Sequence, residues 1–317
     1  LRQAAALASW PDLQRVLLLH AARLAISAGA WNANVEADLG RVLQLDPHCR
    51  EAIDLLERQY AEQGDSSRLQ AILSSKLRLD LPPAERIATL GRLADIAVQR
   101  QEPGVAIQAL EESWGLEPGT PGTLDRLRTL YQEAGDAAGE VSTVERMASL
   151  ATDSAGKVRC LLDIAHLQER GLGDPAAARA TLEGVLVLDP ANETAKKGLE
   201  SLYEELGDWE PLVNQLNAVV FGTGPVADRV SAALKAAVIH EAHMDNVTTA
   251  VSLLRRAADI DPKSGAVLDE LVRLSYRIED WGGMVNVLRR KAALVSNLGE
   301  KVALLAQACE AALTQLG

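Results

Sequence analysis

The sequence predicts an all-α solenoid of antiparallel helix pairs, with about 17–18 helices set out in double repeats of about 71–72 residues along the 317-residue chain. Three observations predict it. Pro47, Pro118, Pro190 and Pro262 each follow an acidic residue and recur at intervals of 71, 72 and 72. Gly64-Asp65, Gly135-Asp136 and Gly207-Asp208 recur at 71 and 72, and Glu279-Asp280 comes 72 later. Composition is the third: 48% of residues are apolar but only 3% aromatic, so the apolar mass is Leu, Ala and Val. Ala and Leu are strong helix formers, and strand signals are sparse.

A basic residue opens each unit. Arg15, Arg86, Lys157, Arg229 and Lys301 are spaced by 71, 71, 72 and 72. Each leads into apolar residues at helical spacing, such as Ile87, Leu90, Leu93, Ala94 and Ala97. The chain thus reads as one continuous array over residues 1–317, with units at about 15–85, 86–156, 157–228 and 229–300 and a partial unit at 301–317. Each full unit reads as four helices. From Arg86 the first reaches about Arg100, the second runs from about Val105 to Gly115, the third ends near Ala134 and the fourth near Ala151.

The punctuation between helices has physical causes. Proline lacks a backbone donor and turns the preceding residue away from helical geometry. Glycine supplies the left-handed residue at a helix C-terminus. Asp174-Pro175 pairs an N-cap with a proline at the first helical position. Asp65, Asp136, Asp208 and Asp280 are expected to cap their helices in the same way. Tyr60, Tyr131 and Tyr203 each precede their Asp by five, while Tyr276 is one place out of register. The last helix, with Val302, Leu304, Leu305, Ala308 and Ala311, has the pattern of an interior helix, so the chain reads as part of a longer array or as a piece that docks end-on.

Charge and composition narrow the function. A formal charge of -12 with few aromatics lacks the basic face and stacking rings of a nucleic-acid binder, so no nucleic-acid partner is expected. No stretch has the roughly 18 uninterrupted apolar residues of a membrane helix, so no direct membrane insertion is expected. Cys49, Cys160 and Cys309 are far apart and read as small buried side chains. Sparse cysteine fits a reducing compartment, so a cytoplasmic location is expected, with a periplasmic or envelope-associated one as the alternative. No nucleophile motif, phosphate loop or dinucleotide fingerprint is present. Gly171-Leu172-Gly173-Asp174 follows no strand and reads as a turn. His240 and His243 share a helical face, but no third ligand accompanies them, and they read as histidines at the negative end of a helix. No enzyme activity, cofactor or metal is therefore expected. Trp209 and Trp281, 72 apart, read as packing residues; Trp10 and Trp31 are candidate binding anchors.

Within the double repeat one half has about 34 residues. It carries a small residue, a bulky apolar residue four later and a late proline: Ala106, Leu110 and Pro118; Ala178, Leu182 and Pro190; Ala250, Leu254 and Pro262. The first unit has Val35 and Leu39 before Pro47. On these residues the chain resembles the tetratricopeptide repeat (TPR) proteins over nearly its whole length, and is most similar to long bacterial arrays. That resemblance implies a right-handed superhelix whose concave wall, formed by the first helix of each pair, binds protein or peptide partners. The positions it points to are Asp54, Arg58, Asp95, Asp125, Asp163, Arg170, Lys197, Glu204, Lys235, Asp269, Arg273 and Tyr276. The Lys/Asn clamp of chaperone-binding members is not matched. The resulting expectation is a non-catalytic scaffold or adaptor. The alternatives are a structural component of an envelope, motility or secretion assembly, with end-to-end or multi-subunit contacts, and the repeat region of an enzyme whose catalytic domain lies elsewhere.

Overall fold

The structure is a computed structural model that describes residues 1–7, 10–120 and 122–316. The chain divides into two compact units, Leu1–Cys160 and Leu161–Gly317. The first holds α1 (Arg2–Leu7), α2 (Pro11–Ser27), α3 (Ala33–Leu45), α4 (Arg50–Gln63), α5 (Ser66–Lys76), α6 (Pro83–Gln99), α7 (Pro103–Leu116), α8 (Thr123–Ala134) and α9 (Ala137–Leu150). The boundary falls within α10 (Ser154–His166), which continues into a π turn, Leu167–Gly171. The second unit continues with α11 (Pro175–Leu188), α12 (Glu193–Leu206), α13 (Trp209–Phe221), α14 (Val226–Ala242), α15 (Val247–Ile260), α16 (Gly265–Arg277), α17 (Trp281–Leu294) and α18 (Leu298–Ala311). A second π turn, Ala312–Leu316, follows. There is no strand among the described residues. The fold is an all-α helical-repeat architecture, and the four helices expected from Arg86 are α6 to α9.

Helices of this length are marginal alone and gain stability by burying one face on the next. Neighbours in sequence pack on each other, as α6 does on α7 and α14 on α15. The small residues of the repeat lie at these contacts: Ala106, Ala178 and Ala250 are wholly buried, and so are Val35 and Leu39 in the first unit.

Two of the four turns in each double repeat use left-handed backbone. Gly64, Gly135 and Gly207 end α4, α8 and α12 with φ of 69°, 69° and 73°. Glu279 takes the matching place after α16 with φ 58°. A second series stands at Gly29, Gln101, Gly173 and Asp245, with φ of 69°, 59°, 65° and 46°. The geometry recurs once in every double repeat although the residue type changes.

Four of the five predicted caps form. Asp65, Asp136, Asp174 and Asp280 accept the backbone N–H three places on, from Arg68, Gly139, Ala177 and Gly283. Asp208 does not cap α13. The residue three places on is Pro211, which has no N–H, and the carboxylate accepts a bond from Arg179 instead. Two of the five basic landmarks also find a cause. Arg86 donates to the Leu77 carbonyl and Arg229 to the Val220 carbonyl, each at 3.0 Å. Each satisfies the carbonyl end of the preceding helix from the first turn of its own.

Two expectations need correction. None of the three cysteines is fully buried: Cys49 and Cys160 are half-buried and Cys309 is exposed. The last helix is only half an interior helix. Ala308 and Ala311 are buried against α17, but Leu298, Val302 and Leu305 are exposed because no described element covers that side. No helix of the described residues is long and apolar enough to cross a membrane.

Candidate functional site: the first-helix faces

In the first unit α4, α6 and α8 are first helices of successive pairs, and their exposed sides are joined by charge. Arg50 of α4 reaches Glu85 of α6 at 2.6 Å, and Arg126 of α8 reaches Asp95 of α6 at 2.6 Å. Glu57 of α4 pairs with Arg92 of α6. Between them lies Lys76 of α5, 2.8 Å from Glu57, 3.0 Å from Asp54 and 3.4 Å from Glu85. Burial alone would lower the Lys76 ammonium, but the bonds from Glu57 and Asp54 outweigh it and hold the group above its ordinary value. An ammonium and a carboxylate both this buried are tolerated because each answers the other.

The second unit repeats the device. Lys235 of α14 joins Glu200 and Glu204 of α12. Arg273 and Arg277 of α16 converge on Glu241 of α14, at 2.5 and 2.6 Å. The Arg273 bond is the main reason the Glu241 carboxyl is held down at about 2. Lys291 of α17 pairs with Asp269 of α16.

The twelve positions taken from the resemblance thus fall into groups. Asp54, Asp95, Glu204, Lys235, Asp269 and Arg273 are tied into ion pairs between helices. Arg58 pairs along its own helix with Glu62. Asp163 is half-buried on α10, and Arg170 is exposed on the π turn rather than on an α-helical face. Tyr276 is 63% exposed and meets the edge of the Trp281 ring at 5.4 Å. Asp125 and Lys197 are exposed and have no ion pair among the described residues.

Grooves open beside these two positions, and another, of about 450 Å³, lies along α4 at Asp54 and Arg58. Asp125 shares a groove of about 610 Å³ between α6 and α8 with Asp95, Val98, Thr129 and Glu133. Lys197 borders a groove of about 790 Å³ among α12, α13 and α14. The repeat frame accounts for the missing ion pairs. Asp54 and Asp269 each have a lysine at one fixed place on the following helix, Lys76 and Lys291, while Asp125 has Met147 there and Lys197 has Val219 rather than a carboxylate. This spacing is a signal in the sequence; reading single positions as a binding wall did not use it.

Recurrent geometry also explains the tyrosine landmark. Tyr60, Tyr131 and Tyr203 donate to Glu36, Glu111 and Glu183 at 3.0, 3.0 and 3.1 Å. Burial first, and then the adjacent carboxylate, pushes each phenol up to about 12. In the last unit Arg255 stands where that glutamate would be and bonds Asp280, and Tyr276 lies outside.

The histidines do not act as a pair. His243 ends α14 and stacks on Trp209, with centroids 3.7 Å apart. His240 is buried and neither ring nitrogen has a partner among the described residues. Burial lowers its proton affinity. Its counterpart one double repeat earlier, Gln168, accepts from Thr181, but the residue matching Thr181 is Leu253. Among the described residues no cluster of three His, Cys, Asp or Glu side chains could hold a metal ion. Of the candidate anchors, Trp31 packs against the core and Trp10 is 76% exposed.

These features define the class: an all-α helical-repeat protein whose first-helix faces are charge-knitted and grooved. No family model matches the chain, and no curated protein sequence matches it. Similar solved structures include a tetratricopeptide repeat protein from Parabacteroides merdae ATCC 43184, at 13% identity over 82% of this chain and 98% of that one, with a TM-score of 0.30. YrrB, described as a TPR protein with an unusual peptide-binding site, is 15% identical over 61% of this chain and 91% of its own, with a TM-score of 0.32. MamA is 17% identical over 60% of this chain and 96% of its own, also at 0.32.

Proposed function

We propose that the chain is a non-catalytic scaffold that captures protein or peptide partners on its first-helix faces. The observation that carries this reading is the pairing of rigidity with openness. Successive first helices are cross-tied by ion pairs, and grooves of about 610 and 790 Å³ open between them. A preformed surface of this kind loses little ordering entropy on binding. Arg126 is paired with Asp95 in the α6–α8 groove, so Asp125 and Glu133 leave its rim net acidic beside the 46% exposed Val98, which suits a partner that is basic and apolar together.

Site-specific photo-crosslinking tests it. A crosslinker at Val98, on the first helix α6, is expected to trap a partner. One at Val187, 81% exposed on the second helix α11, is not. Trapping at Val187 alone refutes the reading.

A second reading, a building block of a larger assembly, draws on α18. Val302 and Leu305 are exposed there, whereas Val230 and Ala233, their counterparts one double repeat earlier on α14, are buried. Concentration-dependent sedimentation that Leu305→Glu abolishes would favour it.

A further inference from the structure

The repeat frame provides an internal reference for what belongs in a groove. A shift of two double repeats carries Arg50, Ser66 and Pro83, the first residues of α4, α5 and α6, onto Glu193, Trp209 and Val226, the first residues of α12, α13 and α14. Contacts carry over with the backbone. The Arg92–Glu57 pair recurs as Lys235–Glu200, and the bond from Arg86 to the Leu77 carbonyl recurs as Arg229 to Val220.

The filling among the three helices does not carry over. After α5 the linker sends Leu79 and Leu81 into the protein, each 8% exposed, and the buried Lys76 closes against Glu57. The matching residues in the second unit are Gly222, Gly224 and Val219. All three line the groove of about 790 Å³, whose floor includes the buried Leu216 and Ala232. That volume is in the usual range for a ligand site. The space is the one that leucine side chains fill in the first unit.

We propose that this groove takes an extended partner segment with two bulky aliphatic side chains at positions i and i+2, seated as Leu79 and Leu81 are seated in the first unit. Residues two apart in extended chain point to the same side, so one segment can present both. The proposal rests on the scaffold reading above and names the chemistry of one of its sites. Lys197, without an ion pair among the described residues, stands at the rim.

The chain itself supplies the probe. A fluorescein-labelled peptide Leu-Arg-Leu-Asp-Leu-Pro-Pro, copied from residues 77–83, is titrated with the whole protein and followed by anisotropy. Its control is Leu-Arg-Gly-Asp-Gly-Pro-Pro. A Cβ at Gly224 would meet nothing within 4 Å, so Gly224→Leu has room to restore the missing side chain. Val219→Lys is the second blocking variant. Saturable binding to the parent is expected, at least tenfold weaker with the glycine peptide and with either variant, while circular dichroism shows both variants folded. Equal affinity for both peptides, equal affinity of parent and Gly224→Leu, or no saturable binding to the parent overturns the assignment. A random peptide library then separates the two readings. Selected peptides that the 77–83 peptide does not displace uphold the scaffold and overturn this groove. Failure to select any peptide counts against the scaffold itself.

Discussion

Replacing His240 by leucine should stabilise the second unit. The imidazole is 6% exposed, and neither ring nitrogen has a partner among the described residues. Leaving a buried polar group unpaired costs about 1–3 kcal/mol, and an apolar group of similar size avoids that cost. A gain of about 1–3 kcal/mol is expected at neutral pH. In a unit of this size it reads as a rise of about 2–4 °C in Tm per kcal/mol. The pH dependence gives a second check. Burial holds the folded imidazole below its ordinary value of 6.5, so the unfolded chain takes up the proton first. Parent stability from this group is complete above about pH 6.5 and is lost as the pH falls through the lowered folded value. The leucine variant has no such proton, so its advantage should widen between about pH 8 and about pH 5. Thermal denaturation followed by circular dichroism across that range is the assay. A variant that melts below the parent, or an advantage that does not change with pH, would refute the reasoning.

Other changes follow from the repeat. Ala178→Leu forces a large side chain into a wholly buried contact and should cost about 1–3 kcal/mol, seen as a lower urea midpoint. Glu279→Gly relieves a left-handed residue and should gain about 1 kcal/mol in the same assay. Tyr203→Phe removes the bond to Glu183 and should cost about 1 kcal/mol; in the parent, ultraviolet titration should show Tyr60, Tyr131 and Tyr203 ionising only near 12. Glu241→Gln should lose about 1 kcal/mol at neutral pH, the partner arginines being half exposed and screened. The Glu241 carboxyl is lowered from 4.5 to about 2, so its contribution is present above about pH 4.5 and fades as the pH falls toward 2. Urea curves at about pH 7 and about pH 3 should show the gap between parent and variant shrinking.

Much of the fold was legible because punctuation and period are local. Pro118, Gly135 and Asp136 act within a few residues of themselves, so the ends of α7, α8 and α9 could be read from them. Where the local rule depended on a second residue it failed. Asp208 looks like Asp136, and only Pro211 three places on removes the N–H it would cap. The left-handed turn at Gly29, Gln101, Gly173 and Asp245 is not legible as a repeat, because only two of its four positions are glycine. The candidate wall was legible as a set of helical positions but not as a network. Whether Asp54 or Asp125 is free depends on what the following helix brings alongside, Lys76 in one case and Met147 in the other. The exposed row on α18 was misread for a related reason: periodicity says which side of a helix is apolar, and not whether anything lies against it.

Arg86 and Arg229 have a consequence beyond capping. Each is anchored in one helix and holds the C-terminal end of the helix before it, across the linker between them. Opening α6 or α14 therefore strips support from its predecessor in the same event. Disorder that begins at one pair should then be handed backward along the chain, and amide exchange near Leu77 and Val220 should rise and fall with that of the helix that follows.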